Sequence, residues 1–259
     1  MPLLWTDQLN SLIQFRSTTF DQFPQKLTTI PKNKRLGKLA ECLFADWVSC
    51  TPNLKICLEN HQIIEDKRTI GELDVIIKNS VSGDYFHIEL VTKFYVYQPE
   101  FDVDTIDAWI GPNRNDSLKN KIEKLQQKQL PLLHHPITVD YLNTLGLSPE
   151  EIKQRVCFKA WLFVPLDFDK TLKLFNNECI AGHYLTFNKF LSLHTSKTTY
   201  FCPQKQDWLR FPETQKEWFL LDETIPQIQE FMKAQQAIMV WTQYEGQYKR
   251  YIIVPYQQF

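Results

Sequence analysis

Two neighbouring segments in which acidic residues alternate with apolar ones place the strongest constraint on the fold. The first runs Gly71-Glu72-Leu73-Asp74-Val75-Ile76-Ile77, and the second runs His87-Ile88-Glu89-Leu90-Val91-Thr92-Lys93-Phe94-Tyr95. Both are typical of β-strands, whose successive side chains point to opposite faces. Glu72 and Asp74 therefore share one face of the first strand, and Glu89 shares a face of the second with His87, Lys93 and Tyr95. The Ser82-Gly83-Asp84 segment between them is typical of a hairpin turn.

The alternation predicts a cation site, because two adjacent strands would bring Glu72, Asp74 and Glu89 together. Crowded carboxylates in a core are costly unless a cation neutralises them. Three oxygen donors suit Mg²⁺ or Mn²⁺. A metal ion beside Lys93 could catalyse phosphodiester hydrolysis. The pattern also fits acids that face solvent, where a Glu89–Lys93 pair would contribute only about 0–1 kcal/mol.

Composition narrows the classes of function. The chain has 259 residues, of which 43% are hydrophobic and 14% aromatic, enough for a sizeable core. Its 7 glycines and the lack of GxGxxG or GxxxxGK[ST] motifs argue against a glycine-rich phosphate loop. The formal net charge of -1 gives no global electrostatic attraction to nucleic acid, so such binding would need a local basic patch.

The cysteines and the hydropathy predict a cytoplasmic protein that does not cross a membrane. The six cysteines are scattered without a CxxC pair, which fits neither a zinc site nor a dense disulfide framework. The first residues lack the basic start and long apolar core of a signal peptide. No apolar stretch approaches the roughly 18 residues that a membrane span requires.

The sequence has no internal repeat, low-complexity tract or obvious linker, which predicts one compact unit over 1–259. A helix should start at Leu36, with an apolar stripe and Glu41 at its edge, and a strand should follow over 54–64. A second helix, N-capped by Asn115 or Asp116, carries Gln129 on its apolar face, where it needs a hydrogen-bond partner. The remaining expectations are short helical pieces within 1–30, a small basic cluster at Lys32, Lys34, Arg35 and Lys38, a buried strand from Val156 to Pro165, a helix around 223–236 and a C-terminal hairpin from Ile238 to Val254.

The order of helix, strands and helix resembles the PD-(D/E)XK nuclease superfamily. Gly71-Glu72-Leu73-Asp74 is similar to the GEIDL strand of Holliday-junction-resolvase-like members. The chain also resembles a bacterial family termed domain of unknown function 1853, through Arg35-Leu36-Gly37, Glu41, the two strand segments, Gly111-Pro112-Asn113 and Gln129-Leu130. The resemblance implies an α/β fold. It would have an αβββαβ core over 35–130, with a mixed sheet flanked by helices, and an aromatic-rich α+β extension over 156–259.

The resemblance to the superfamily also implies roles for individual residues. The metal-binding pair falls on Asp74 and Glu89, with Glu41 or Glu72 as further ligands for Mg²⁺ or Mn²⁺. Gln129 or Gln126 would take the glutamine position on the following helix. Nucleic acid is the implied partner, contacted by Lys38, Lys119, Lys121 and Gln126.

One departure bears on catalysis. The superfamily lysine normally follows the glutamate by two residues, where this chain has Val91. Lys93 keeps the same face but lies about 13 Å along an extended strand from Glu89. Either a bulge would have to shorten this distance, or a lysine of the next helix, such as Lys121 or Lys119, would have to supply the amine. The sequence therefore predicts a metal-dependent nuclease with Asp74, Glu89, Lys93 and Gln129 in its active site. The alternatives are a non-catalytic nucleic-acid-binding or protein-interaction module on a degenerate nuclease fold, and an ordinary α/β domain with salt-bridged surface acids.

Overall fold

The structure is a computed structural model that describes residues 1–16 and 35–256. The contacts within the chain group it into two compact units. The carboxylate unit comprises Trp5–Thr92 and Asn120–Lys159, and the aromatic unit comprises Met1–Leu4, Lys93–Lys119 and Ala160–Phe259. These boundaries differ from the predicted 35–130 core and 156–259 extension. Whether the chain folds as one compact unit stays a prediction.

The elements alternate between strands and helices, which confirms the predicted α/β class. The eleven strands of the described residues are β1 (Gln8–Leu9), β2 (Leu12–Ile13), β3 (Leu54–Glu65), β4 (Arg68–Asn79), β5 (Tyr85–Tyr97), β6 (Trp109–Ile110), β7 (Ile152–Val164), β8 (Ile180–Thr186), β9 (Thr199–Phe201), β10 (Ile238–Tyr244) and β11 (Gln247–Val254). The α-helices of the same residues are α1 (Leu36–Ser49), α2 (Leu118–Lys124), α3 (Pro136–Thr144), α4 (Phe187–Ser192) and α5 (Leu221–Lys233). Strands β5 and β7 and helix α2 each contribute residues to both units.

The carboxylate unit has a sheet in the order β3-β4-β5-β7, in which β4 is antiparallel to both β3 and β5. Helix α1 follows the predicted stripe, burying Leu39, Phe44 and Trp47. Its C-cap, Cys50, lies two residues before Pro52, since a helix rarely continues up to a proline. The core joins the sheet to α3 and the segment before it through Ile63, Leu73, Ile76, Leu132, Leu133, Leu142, Leu147 and Ile152.

The aromatic unit contains the mixed part of the sheet. Strand β8 is parallel to both β7 and β11, whereas β10 is antiparallel to β11 and β9. The predicted C-terminal hairpin is confirmed as β10 and β11, turning through Glu245 and Gly246 at positive φ. Helices α4 and α5 pack against this sheet around Phe190, Ile228 and Tyr251.

Two sequence expectations require correction. The residues from Gln8 to Ile13 were expected to be helical, but they form the β1–β2 hairpin with Asn10 and Ser11 at positive φ, a short turn that helical periodicity cannot reveal. The rest of the 1–30 segment beyond residue 16, and the basic residues Lys32 and Lys34, lie outside the described residues. Helix α2 begins at Leu118 rather than at Asn115 or Asp116, because the Asp116 carbonyl accepts a hydrogen bond from Gly111 N–H at 2.8 Å.

Across the described parts of the chain, no helix is both long enough and apolar enough to cross a membrane.

Candidate active site

Asp74 and Glu89 lie next to each other on antiparallel neighbours, as predicted. The β4–β5 ladder runs up to the pair Val75 and Ile88, so Asp74 and Glu89 are the next residues on the two strands. Asp74 Oδ2 accepts a hydrogen bond from the backbone N–H of Leu90 at 2.8 Å. The Asp74 carboxylate is therefore anchored on the strand that carries Glu89.

Glu89 is fully buried, and side chains hydrogen-bond to both of its oxygens. His87 Nε2 lies 3.1 Å from Glu89 Oε1. Gln129 Nε2 donates to Glu89 Oε2, and Gln129 Oε1 in turn accepts from Lys121 Nζ at 2.6 Å. The partner that Gln129 needed on its apolar stripe is thus Glu89, and Lys121 is joined to the carboxylates through this glutamine.

The direction of each hydrogen bond in this network follows from the groups at its two ends, the Leu130 carbonyl, which can only accept, and the Lys121 ammonium, which can only donate. Gln154 Nε2 lies 2.5 Å from the Leu130 carbonyl oxygen, which can only accept, so this end of the side chain is the NH₂ group. The same NH₂ lies 3.3 Å from His87 Nδ1. His87 Nδ1 is therefore the acceptor, and its Nε2 carries the proton that is donated to Glu89. Since a lysine ammonium only donates, Gln129 also presents its NH₂ to Glu89. Both oxygens of Glu89 therefore act as acceptors.

An unusual helical turn positions Gln129. Helix α2 is followed by a π-helical turn over Leu125–Gln129, and the Leu130 N–H donates to the Leu125 carbonyl five residues earlier. Such turns are rare and occur mostly as single insertions at functional sites. The short 3₁₀ helix Leu130–His134 comes next, and its Leu132 packs so closely over Gly71 that a β-carbon there would collide with the leucine. This packing explains why a glycine, which has no side chain, begins the Gly71-Glu72-Leu73-Asp74 segment.

Asp74 is the electrostatically strained member of the pair. Burial, together with the charge of Glu89, raises the pKa of Asp74 from 3.8 to about 7. The Leu90 hydrogen bond and the charge of Lys121 act in the opposite direction, and the charge of Glu41 raises this pKa further. Burial is thus the main cause of the raised pKa, and the repulsion from Glu89 and Glu41 adds to it.

Glu41 and Glu72 both pair with Lys38. Lys38 Nζ lies 2.6 Å from Glu41 Oε2 and 2.9 Å from Glu72 Oε1, and also donates to Asn60 Oδ1 at 2.6 Å. Burial raises the pKa of Glu41, partly offset by Lys38. Burial would lower the pKa of Lys38, but its hydrogen bonds to the two glutamates raise that pKa above its ordinary value. Lys38, predicted to contact nucleic acid, thus forms ion pairs with two of the four predicted metal ligands.

The other predicted residues have different partners. Lys93 belongs to the aromatic unit, where its amine pairs with Asp116. Lys119 pairs with Asp107 at 2.8 Å in the same unit. Gln126, in the carboxylate unit, donates to the carbonyl of Asn10 at the tip of the β1–β2 hairpin. Of the lysines named from sequence, Lys121 is the one tied by hydrogen bonds to the Glu89 carboxylate.

The donor set fits a hard divalent cation through two carboxylates. Within residues 1–16 and 35–256, no group of three or more His, Cys, Asp or Glu side chains is arranged to hold a metal ion. Mg²⁺ commonly uses only one or two carboxylates and completes its octahedron with waters and substrate phosphates. Asp74 Oδ1 accepts no hydrogen bond from any described residue, and each Glu89 oxygen has a second lone pair beyond the bond it accepts. Asp74 and Glu89 therefore remain suitable ligands.

Sequence reasoning missed one member of the network. His87 could be placed on the Glu89 face from strand alternation alone, and the structure buries it completely beside Glu89. Gln154 gave no signal, because its contact with His87 depends on β7 lying beside β5, which follows from the sheet order rather than from local sequence.

Comparison with protein families finds one whose model covers this site. A family model described as "Domain of unknown function (DUF1853)" matches residues 6–251. The chain belongs to this family. The matched range of this DUF1853 chain contains the whole network from Lys38 to Gln154. Searches of curated proteins and of solved structures each find no match.

Proposed function

We propose that this chain is a metal-dependent nuclease of the PD-(D/E)XK type, which hydrolyses phosphodiester bonds in DNA or RNA. The observation that carries the proposal is the Asp74–Glu89 pair, whose negative charge is only partly offset. A cation that also binds a phosphate would relieve this excess charge. We further propose a cytoplasmic location, in keeping with six scattered cysteines that include no CxxC pair.

The order of elements supports the superfamily part of the proposal. Glu41 lies on α1, Asp74 on β4, Glu89 on β5 and Gln129 just after α2, with β7 as the next strand. With β6 and α3 as additional elements, this order supports the αβββαβ core that the sequence resemblance implied. Fold alone does not establish chemistry, so the proposal depends on the side chains of the site.

Each side chain of the network has a role in the proposed reaction. Asp74 and Glu89 would hold Mg²⁺ or Mn²⁺, which when bound polarises a phosphate and lowers the pKa of a coordinated water. Lys121 would take the role that sequence assigned to Lys93, and its positive charge would stabilise the negative charge that develops on the phosphate. Gln129 bonds both Lys121 and Glu89, so it fixes the distance between the amine and the carboxylate. His87 orients the other oxygen of Glu89.

A second candidate, a non-catalytic nucleic-acid-binding or protein-interaction module, is favoured by one specific observation. Val91, at the usual lysine position, is buried, and Lys93 is already paired with Asp116. If Lys121 cannot replace the missing lysine, the carboxylate pair would bind metal without cleaving.

The test is cleavage of end-labelled single-stranded and duplex DNA and RNA in the presence of Mg²⁺, Mn²⁺ or EDTA. Wild-type protein and Asp116→Asn, a matched change in the aromatic unit, should cleave at least one substrate with metal. Asp74→Asn should reduce cleavage by about 10²-fold or more, because it removes one carboxylate ligand. Metal-independent cleavage, or equal cleavage by Asp74→Asn, contradicts the nuclease proposal. Metal binding without cleavage of any substrate would favour the binding module.

A further inference from the structure

An open cavity of about 660 Å³ lies in the carboxylate unit, beside the Glu89 network. Its walls come from the β1–β2 hairpin, the segment around the π-helical turn, and the start of β7. Ile13, Leu130 and Pro131 supply apolar surface, while the polar and charged lining consists of Ser11, Gln126, His134, Glu150, Gln154 and Arg155. A volume of this size lies within the range of small-molecule sites.

The polar walls favour a ligand that donates hydrogen bonds. Gln126 and Gln154 each use only the amide nitrogen, toward backbone or side-chain partners within the unit. The two carbonyl oxygens Oε1 accept no hydrogen bond from any described residue. The Arg155 guanidinium donates to the backbone carbonyl of Gln154 at 2.7 Å and lies 5.6 Å over the Phe86 ring. Its guanidinium plane can also stack on a flat ligand.

The cavity is linked to the proposed active site through two side chains. Gln154 lines the cavity and contacts His87, and His87 contacts Glu89. A ligand in the cavity would therefore lie within two side chains of the proposed metal-binding carboxylate.

We propose that this cavity binds an unpaired nucleobase of the nucleic acid, with preference for bases that carry an exocyclic amino group. The amino group would donate to Oε1 of Gln126 or Gln154, in the way that glutamine amides read base edges, and the apolar walls would cover the ring faces. The proposal rests on the proposed function, since it assigns a base-binding subsite to the same substrate.

The test measures binding of two single-stranded hexanucleotides, oligo-dC and oligo-dU, by fluorescence anisotropy in EDTA. Cytosine carries an amino group where uracil carries a carbonyl oxygen, so oligo-dC should bind about fivefold or more tightly. Ile13→Trp, at an exposed strand position on the cavity rim, should abolish this preference. Ile64→Trp is the matched control, since Ile64 is also an exposed strand isoleucine but does not line the cavity.

The outcomes separate this inference from the proposed function, because binding in EDTA requires no cleavage. Equal affinities for oligo-dC and oligo-dU, or a preference that Ile13→Trp leaves intact, would overturn the subsite even if the protein cleaves nucleic acid. A dC preference that is lost in Ile13→Trp and kept in Ile64→Trp would support the subsite even if no cleavage is found.

Discussion

Lys121 and Lys93, one in each unit, differ in how they meet a carboxylate. In the aromatic unit, Lys93 pairs directly with Asp116, and both side chains are substantially exposed. In the carboxylate unit, Lys121 contacts the amide of Gln129, which then contacts the buried Glu89. A neutral glutamine thus stands between the cation and the anion.

The difference indicates where chemistry is available. A direct lysine–aspartate pair neutralises itself and gains little from any further ligand. The carboxylate unit instead keeps Asp74 and Glu89 close together with partial compensation, at a cost in stability. Charge that is left unbalanced in a largely buried place is a mark of a functional site. Variants of the two lysines, of Asp74 and of two histidines test this contrast.

Exchanging each lysine for methionine tests the assignment of the catalytic amine. Lys121→Met should reduce the rate of metal-dependent cleavage by about 10²–10³-fold, the range for removing one group that stabilises the transition state. Lys93→Met should change the rate by less than about threefold, because its partner is Asp116. The measurement is the single-turnover rate of cleavage of a labelled oligonucleotide. The reverse ranking would return the role to Lys93.

The raised pKa of Asp74 predicts a specific pH dependence of stability. The pKa is about 7 in the folded protein against an ordinary 3.8, so the folded state holds more protons between these pH values. The free energy of unfolding contributed by this group is therefore highest below about pH 4 and falls as pH rises toward about 7. Without metal, Asp74→Asn should become more stable than wild type by roughly 2–4 kcal/mol above pH 7.

Urea unfolding at a series of pH values in EDTA measures this difference. Asp84→Asn is the control, because the Lys153 hydrogen bond lowers the pKa of Asp84 and the change should act in the opposite direction. A constant difference between Asp74→Asn and wild type across the pH range would contradict the electrostatic account of the site.

A histidine-to-phenylalanine exchange compares polar groups in the two units. His87→Phe keeps the ring but leaves Glu89 Oε1 and the Gln154 amide without this partner in a buried place, and should cost about 1–3 kcal/mol. His183→Phe in the aromatic unit removes one contact to the Pro165 carbonyl at a partly exposed site and should cost about 0–1 kcal/mol. Chemical denaturation of both variants provides the comparison, and equal costs would mean that the network adds nothing beyond ordinary hydrogen bonds.

The sequence was most informative where a local period decides the structure. The stripe of α1, the alternation of β4 and β5, and the β10–β11 hairpin all follow from side-chain spacing, and with them the pairing of Asp74 and Glu89. The π-helical turn that delivers Gln129, and the contact between Gln154 and His87, depend on packing between distant segments. The pairing of Lys38 with both Glu41 and Glu72 is of the same kind. Contacts between segments that are distant in sequence produce no repeating pattern from which they could be predicted.

The central claim is that Asp74 and Glu89 hold a divalent cation, and thermal unfolding with and without metal tests it most directly. At about pH 8, saturating Mg²⁺ or Mn²⁺ should raise the melting temperature of the wild type by several degrees, since a ligand at about 100 times its Kd stabilises by about 2.7 kcal/mol. Asp74→Asn should show no such rise, although its apo form is at least as stable as the wild type. A wild-type melting temperature that does not respond to millimolar metal, or an equal rise in Asp74→Asn, would contradict the claim.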